Sequence, residues 1–466
     1  MIRRAALLLA AILSLPAHAW AAAGQDPGLA QSSEAPGGRD VAVTVYNENL
    51  GVIKDQRKFS IAAGMSELRF MDVASAIDPT SVHLSPLGKT PVEILWQDYR
   101  FDLVSTEKLL ERYVDHQVEV STKDDQMKRG TLLSFDPASL VLQESGGGLA
   151  LLNRAEVRQV GLQQLPKGLI TRPTLVWRLR SGGAGTEPLE VSYLTGGMGW
   201  HADYVAVIDD AGLSLDLQGW ASVENRSGAT YEDAKIKLVA GSIHRAPAPG
   251  RAPDFQGRAM ASEMMAMKVQ ERGFFEYHLY EVPLRSTLAN NEVKQLGLLQ
   301  ASGVKSAKKF TYDASKDPDQ VMVTVEFENA ASSGLGMPLP EGVVRVFQRD
   351  KDGSLELAGE DRIKHTPKNE TVRVAVGGAF DIGVERKQTE MRQVNPRIVE
   401  TAYEITIKNH KADAVEVTVV EHAYGDWEVL SSSLPAKKKD ATTLEFLARC
   451  APEKPVVVTY RLRTRS

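Results

Sequence analysis

The segment Trp200-His201-Ala202-Asp203-Tyr204 is where residue types and spacing come nearest to chemistry. Side chains alternate along an extended strand, so His201 and Asp203 share one side and Trp200 and Tyr204 the other. A general acid–base pair or two metal ligands would need that arrangement. A metal centre needs further ligands and none is evident, and a His and an Asp on the wet face of a strand are most simply solvated. No residue is therefore assigned as catalytic, cofactor-binding or metal-ligating, and no cofactor is expected. Trp220 breaks the polar face of its own strand. An aromatic there can stack on a sugar or anchor a partner, with packing beneath a neighbouring loop as the plainer alternative. Trp200, His201, Asp203 and Trp220 together form the candidate binding surface.

Other constellations carry less. A hydrolase of envelope polysaccharide would need two carboxylates within about ten ångströms across a cleft, and Asp203, Asp209, Asp210 and Asp216 are the available acids. Met260, Met264, Met265 and Met267 offer soft thioethers to Cu(I), although an adaptable apolar loop contact explains them more simply. Gly88-Lys89-Thr90 suggests a phosphate loop, but His83 stands where the first glycine is required. His-Glu-x-x-His, Gly-x-Ser-x-Gly and Cys-x-x-Cys are all absent from the sequence, which removes the commonest zinc, serine-hydrolase and thiol mechanisms.

The elements that must position these residues read as strands. Leu213, Leu215, Leu217, Ala221 and Val223 fall on one face, with Ser214, Asp216, Gln218, Ser222 and Glu224 on the other, as in a half-buried strand. Asn225-Arg226-Ser227-Gly228 supplies a turn. The next strand places Ile236 and Leu238 inward and Lys235 and Lys237 outward, and Tyr231 before it suits a tyrosine corner, its hydroxyl bonding back to the backbone. The same grammar, an alternating strand closing on Asn, recurs at Asn329 and Asn409.

The predicted fold is all-β: multi-domain antiparallel β-sandwiches with an inserted small SH3-like or Sm-like barrel. Residues 40–102 form an N-terminal sandwich part and 103–165 the barrel, with a helical lead-in at LLERYVD and five short strands. Residues 166–300 form a sandwich carrying a Met-rich loop at 246–272, and 301–466 a C-terminal sandwich. The strands before and after the barrel are expected to share one core.

The amino terminus reads as a cleaved signal peptide over 1–21: Arg3 and Arg4, the apolar run Ala5 to Leu15, then a small-x-small site, followed by a flexible spacer over 22–39. No later segment has the length and apolarity of a membrane span, so no transmembrane span is expected after cleavage. Formal net charge is −5 for the whole chain, and that mild acidity argues against a nucleic-acid partner. Lys437-Lys438-Lys439, the only tight basic run, reads as a solvated turn. Cys450 is the single cysteine, so an exported chain of this size relies on its core rather than on disulfides, which suits the bacterial periplasm.

Longer motifs carry a resemblance. YLTGGMGWHADY (193–204), GWASVENRSGATYEDAKIKLVAG (219–241), FFEYHLYEVP (274–283), LPEGVVRVFQRD (339–350) and YEITIKNHKADAVEVTVVEHAYGDWEV (403–429) are similar to the exported bacterial family of mucoidy-inhibitor-A-like proteins, whose carboxy-terminal region is a domain of unknown function. The resemblance covers most of the chain beyond Thr174. It implies a β-sandwich architecture and an envelope location, and it brings no established activity or catalytic residues. The expected function is a non-catalytic exported scaffold or binding protein that engages an envelope protein or polysaccharide. A polysaccharide hydrolase is the alternative, and a periplasmic copper-binding protein is the weaker third reading.

Overall fold

Alternation of apolar and polar residues builds almost everything here: the described residues are about 65% strand and 4% helix. The structure is a computed structural model that describes residues 30–34, 38–164, 170–209, 211–241, 270–274 and 277–465. The signal-peptide reading of 1–21, most of the 22–39 spacer, Asp210 and the methionines of the 246–272 loop lie outside the described residues. The end of that loop belongs to the strand Gln270–Phe274.

The strands form four sheets. A twelve-stranded sheet contains Asp40–Tyr46, Gly51–Ile61, Gly64–Met71, Thr174–Ser181, Gly185–Thr195 and Tyr231–Ala240. A ten-stranded sheet runs through Leu355–Ile363, Gly342–Arg349, Met198–Ile208, Ser214–Asn225, Glu292–Asp313, Val415–His422 and Thr443–Cys450, with Met322–Glu328 and Thr371–Gly378 branching from it. A four-stranded sheet joins Ile382–Asn395, Ile398–Asn409, Val456–Arg465 and Asp426–Ser432.

Two large cores lie among these sheets. The first unites Val43, Phe59, Phe70 and Trp177 with Tyr204, Leu217, Val304 and Val346, so strands on either side of the insert do share one interior. The second packs Phe310, Tyr312, Val417 and Phe446 against Ile405, Val458 and Tyr460. A domain boundary at 300/301 would cut the strand Glu292–Asp313, which contributes Leu298 and Val304 to the first core and Phe310 and Tyr312 to the second. Gly303 takes φ of +66°, but its amide donates to Asp216 Oδ1 at 2.9 Å, and the ladder with Ser214–Asn225 resumes at Val304 and Lys305.

Residues 106–161 form the separate five-stranded sheet, in the order Leu149–Asn153, Ser139–Glu144, Met127–Phe135, Gln117–Thr122, Val157–Gly161. Its helical lead-in is Thr106–Tyr113, capped by the Ser105 hydroxyl accepting from the Lys108 amide. Leu110, Tyr113, Val120, Leu132 and Leu142 give it a core of its own. Chain entry and exit meet where the Val104 amide donates to the Ile170 carbonyl and the Ile170 amide to that of Asp102.

The recurring strand-end asparagines are structural. Asn225, Asn329 and Asn409 are all buried. The Asn225 amide group donates to the Ala229, Leu288 and Ala289 carbonyls. That of Asn329 donates to Met337, Thr366 and Pro367, while its carbonyl accepts from the Gly336 amide. That of Asn409 donates to Asp413 and Cys450. Each side chain satisfies backbone groups of turns that would otherwise be buried without partners.

Three local expectations are corrected. Leu213 is 62% exposed: it lies in the turn before Ser214–Asn225, where alternation no longer sets its side. Tyr231 is buried, and its hydroxyl meets Ser227 Oγ at 3.2 Å rather than the backbone, because the Asn225–Ser227 turn brings that hydroxyl inward. Lys437–Lys438 is a short strand paired with Glu445 and Leu444, and Lys438 sits 4.2 Å over the Trp427 ring; Cys450, by contrast, is buried as a small core residue.

Asn329→Ala would strand several buried backbone groups at about 1–3 kcal/mol each. The expected result is a clear drop in the urea midpoint of unfolding followed by far-UV circular dichroism, with a smaller drop for Asn369→Ala at an exposed turn.

Candidate functional site

Pairing across the ten-stranded sheet decides which side chains meet around Asp203. Within Met198–Ile208 and Ser214–Asn225, His201 lies opposite Ser222 and Asp203 opposite Trp220. The parallel strand Gly342–Arg349 sets Arg345 beside Val205, and Glu292–Asp313 sets Gln295 beside Ser222. A consecutive pair of strands and two others distant in sequence thus present one polar face.

Asp203 is its centre, with 14% of its side chain exposed. Ser222 Oγ donates to Asp203 Oδ2 at 2.6 Å and accepts from Gln295 Nε2 at 3.2 Å. His201 Nε2 lies 3.3 Å from the same carboxylate oxygen, and Arg345 Nη1 lies 3.6 Å from Oδ1. Arg345 is steadied in turn by Glu360 at 3.2 Å. Burial pushes the Asp203 carboxyl up, but the hydrogen bonds from His201 and Ser222 and the charges of His201 and Arg345 outweigh it, leaving the group below its ordinary value.

The order of contacts matters chemically. A serine nucleophile needs the imidazole between hydroxyl and carboxylate. Here the carboxylate lies between Ser222 and His201, so the hydroxyl donates to the acid instead of to a base. Of the other carboxylates considered for a hydrolytic pair, Asp210 lies outside the described residues; Asp209 accepts from the Leu213 and Ser214 amides and the Ser214 hydroxyl, and Asp216 from the Gly303 amide. Among the described residues, no group of three or more His, Cys, Asp or Glu side chains is placed to hold a metal ion.

Trp220 is half-buried on this face. A register shift between Gly219 and Trp220 opposes it to Gly297, a residue with no side chain to stand in its way. Gly219 beneath is closely packed: an added Cβ would lie 2.9 Å from Leu299 Cγ and 3.1 Å from Tyr204 Cε1, so any larger residue would displace them. Trp200 leaves the candidate surface. It is 2% exposed, its indole donates to the Val239 carbonyl at 3.0 Å and its ring meets Tyr280 edge-on, because alternation sends it into the first core.

The structure therefore brings His201, Asp203 and Trp220 together and adds Ser222, Gln295, Arg345 and Glu360. Sequence reasoning missed those four because only strand pairing makes them neighbours; the alternation of Ser222 with Trp220 was the one local signal. Compared with known proteins, the chain matches no family model and no curated protein.

The lowered Asp203 value has a definite sign. Its folded pKa lies below its unfolded one, so its stabilising contribution is complete above the ordinary carboxylate range and disappears as pH falls through the folded value. Stability should fall below about pH 4, and Asp203→Asn should flatten that acid limb in thermal melts between pH 2 and pH 5 while melting lower than the parent at pH 7.

Proposed function

We propose that this chain is an exported, non-catalytic binding protein of the bacterial cell envelope, and that the face around Trp220 engages an envelope polysaccharide. The observation that carries this reading is the fully engaged Asp203 beside a half-buried tryptophan. A carboxylate held by Ser222, His201 and Arg345 is a fixed acceptor rather than a mobile acid or base. An indole with polar groups held around it is what a sugar needs, an apolar ring to stack on and oriented donors and acceptors at its edge.

Periplasmic location is supported by the charged, apolar and small-residue succession at 1–21 and by the single cysteine. The motif similarity to mucoidy-inhibitor-A-like proteins points to the same compartment. We read the insert as an SH3-like or Sm-like barrel with a structural role, on the strength of its strand order, in which the last strand closes against the first.

The test is capture of purified envelope polysaccharide by the immobilised protein, with the bound and released sugar analysed by mass spectrometry. Trp220→Ala should reduce retention about tenfold, as loss of one good stacking contact does, without altering the circular dichroism spectrum. Retention unchanged in that variant would overturn the assignment of the face, and release of shortened chains would favour the hydrolase alternative.

A further inference from the structure

The outer side of the second core carries a different surface. Strands Met322–Glu328, Glu292–Asp313, Val415–His422 and Thr443–Cys450 turn Phe310, Tyr312, Val417, Val419 and Phe446 inward, so the intervening residues face out. They floor a trough of about 970 Å³ walled by the Asp313–Asp319 turn and by Lys437–Asp440. Its size is that of a ligand cleft.

The distribution of charge in it is ordered. Three of the four acids are at least half-buried and already engaged: Asp313, 8% exposed, accepts from Ser315 Oγ and lies 3.2 Å from His422 Nε2, Glu326 pairs with Arg373 and Glu445 with Lys439; the fourth, Asp440, is exposed on the wall and accepts from the Thr442 amide and hydroxyl. Cations stand at the rim: Lys316, Arg373 and Lys439 are 77%, 66% and 58% exposed. Lys309 and Lys437 are exposed there too and have no ion-pair partner among the described residues. On the floor between them Thr311, Thr324 and Thr418 lie half-buried. Thr311 is directly beside Thr418, and Thr324 directly opposite Lys309. None of the three hydroxyls has a side-chain hydrogen bond among the described residues.

We infer that this trough binds an acidic polysaccharide, with Lys309, Lys437 and Lys439 meeting its negative groups and Thr311, Thr324 and Thr418 its hydroxyls. A chain of net charge −5 has no general attraction for polyanions, so a basic rim over unspent hydroxyls is a local specialisation. Lysine ammonium groups serve as point charges for carboxylate or sulfate alike, while threonine offers a donor, an acceptor and a methyl to the alternating polar and C–H surface of a sugar ring. The inference is independent of the Trp220 face, which lies on the other part of the ten-stranded sheet.

The test is affinity electrophoresis of the full chain through gels containing polygalacturonate, dextran sulfate, neutral dextran or polyglutamate. Retardation is expected in the first two, weakening as salt rises, and none in dextran. Substituting Lys309, Lys437 and Lys439 together by Gln should weaken binding about tenfold, the sum of three exposed charge contacts, whereas arginine at the same positions should retain it. Thr311→Val with Thr418→Val should weaken polygalacturonate binding and leave the melting temperature unchanged. Trp220→Ala should bind polygalacturonate as the parent does, which separates failure here from failure of the other face. Absence of retardation, equal retardation of the triple Gln variant, or polyglutamate binding as tight as polygalacturonate would overturn the inference.

Discussion

One continuous strand holds the two cores in register. Glu292–Asp313 contains 22 residues, about 70 Å at the usual rise of a strand. Its first half pairs with Ser214–Asn225, and its second half with Met322–Glu328 and Val415–His422. A side-chain period of two cannot slip by one residue without turning every buried residue outward. The strand therefore transmits a single choice of face to both sandwiches. The shift at Gly219 and Trp220 and the left-handed Gly303 are the places where that choice is adjusted: the ladder gives way locally so that Leu298 and Val304 remain inside on either side.

Each core also fixes one arginine between a carboxylate and a ring. Arg57 is held by Asp55 and lies 3.9 Å over Phe70. Arg386 is gripped at 2.9 and 3.0 Å by the two oxygens of Glu421 and lies 3.9 Å over Tyr403. Planar guanidinium groups suit this use because two parallel hydrogen bonds fix the plane and the flat face remains available for the ring. Arg386 and Tyr403 belong to the four-stranded sheet and Glu421 to the ten-stranded one, so the pair ties the two layers with directional contacts where hydrophobic packing alone would permit sliding.

Strand existence was legible in the sequence because alternation is a local property. The five strands of the insert and the inward set Leu215, Leu217, Ala221 and Val223 follow from it. Partnership between strands was not legible. Arg345 reaches Asp203 through a parallel pairing across more than a hundred residues. Trp200 shows the remaining difficulty: alternation placed it opposite His201, and the depth of the first core then removed it from the surface. The strand-end asparagines were visible as a repeated word, but their meaning, satisfaction of several buried turn groups by one side chain, needed the distant carbonyls of Leu288 and Thr366.

The entry and exit of the insert are pinched together where the backbones at Asp102, Val104 and Ile170 bond to one another, and its interior is separate from the other two. In polymer terms it is a closed side loop rather than a link in series. Tension or thermal opening within residues 106–161 need not be carried through the main sheets, and the entropy of closing that loop is met at the pinch itself. The polypeptide can thus vary this appendage in size and surface while the long strand beneath keeps its register.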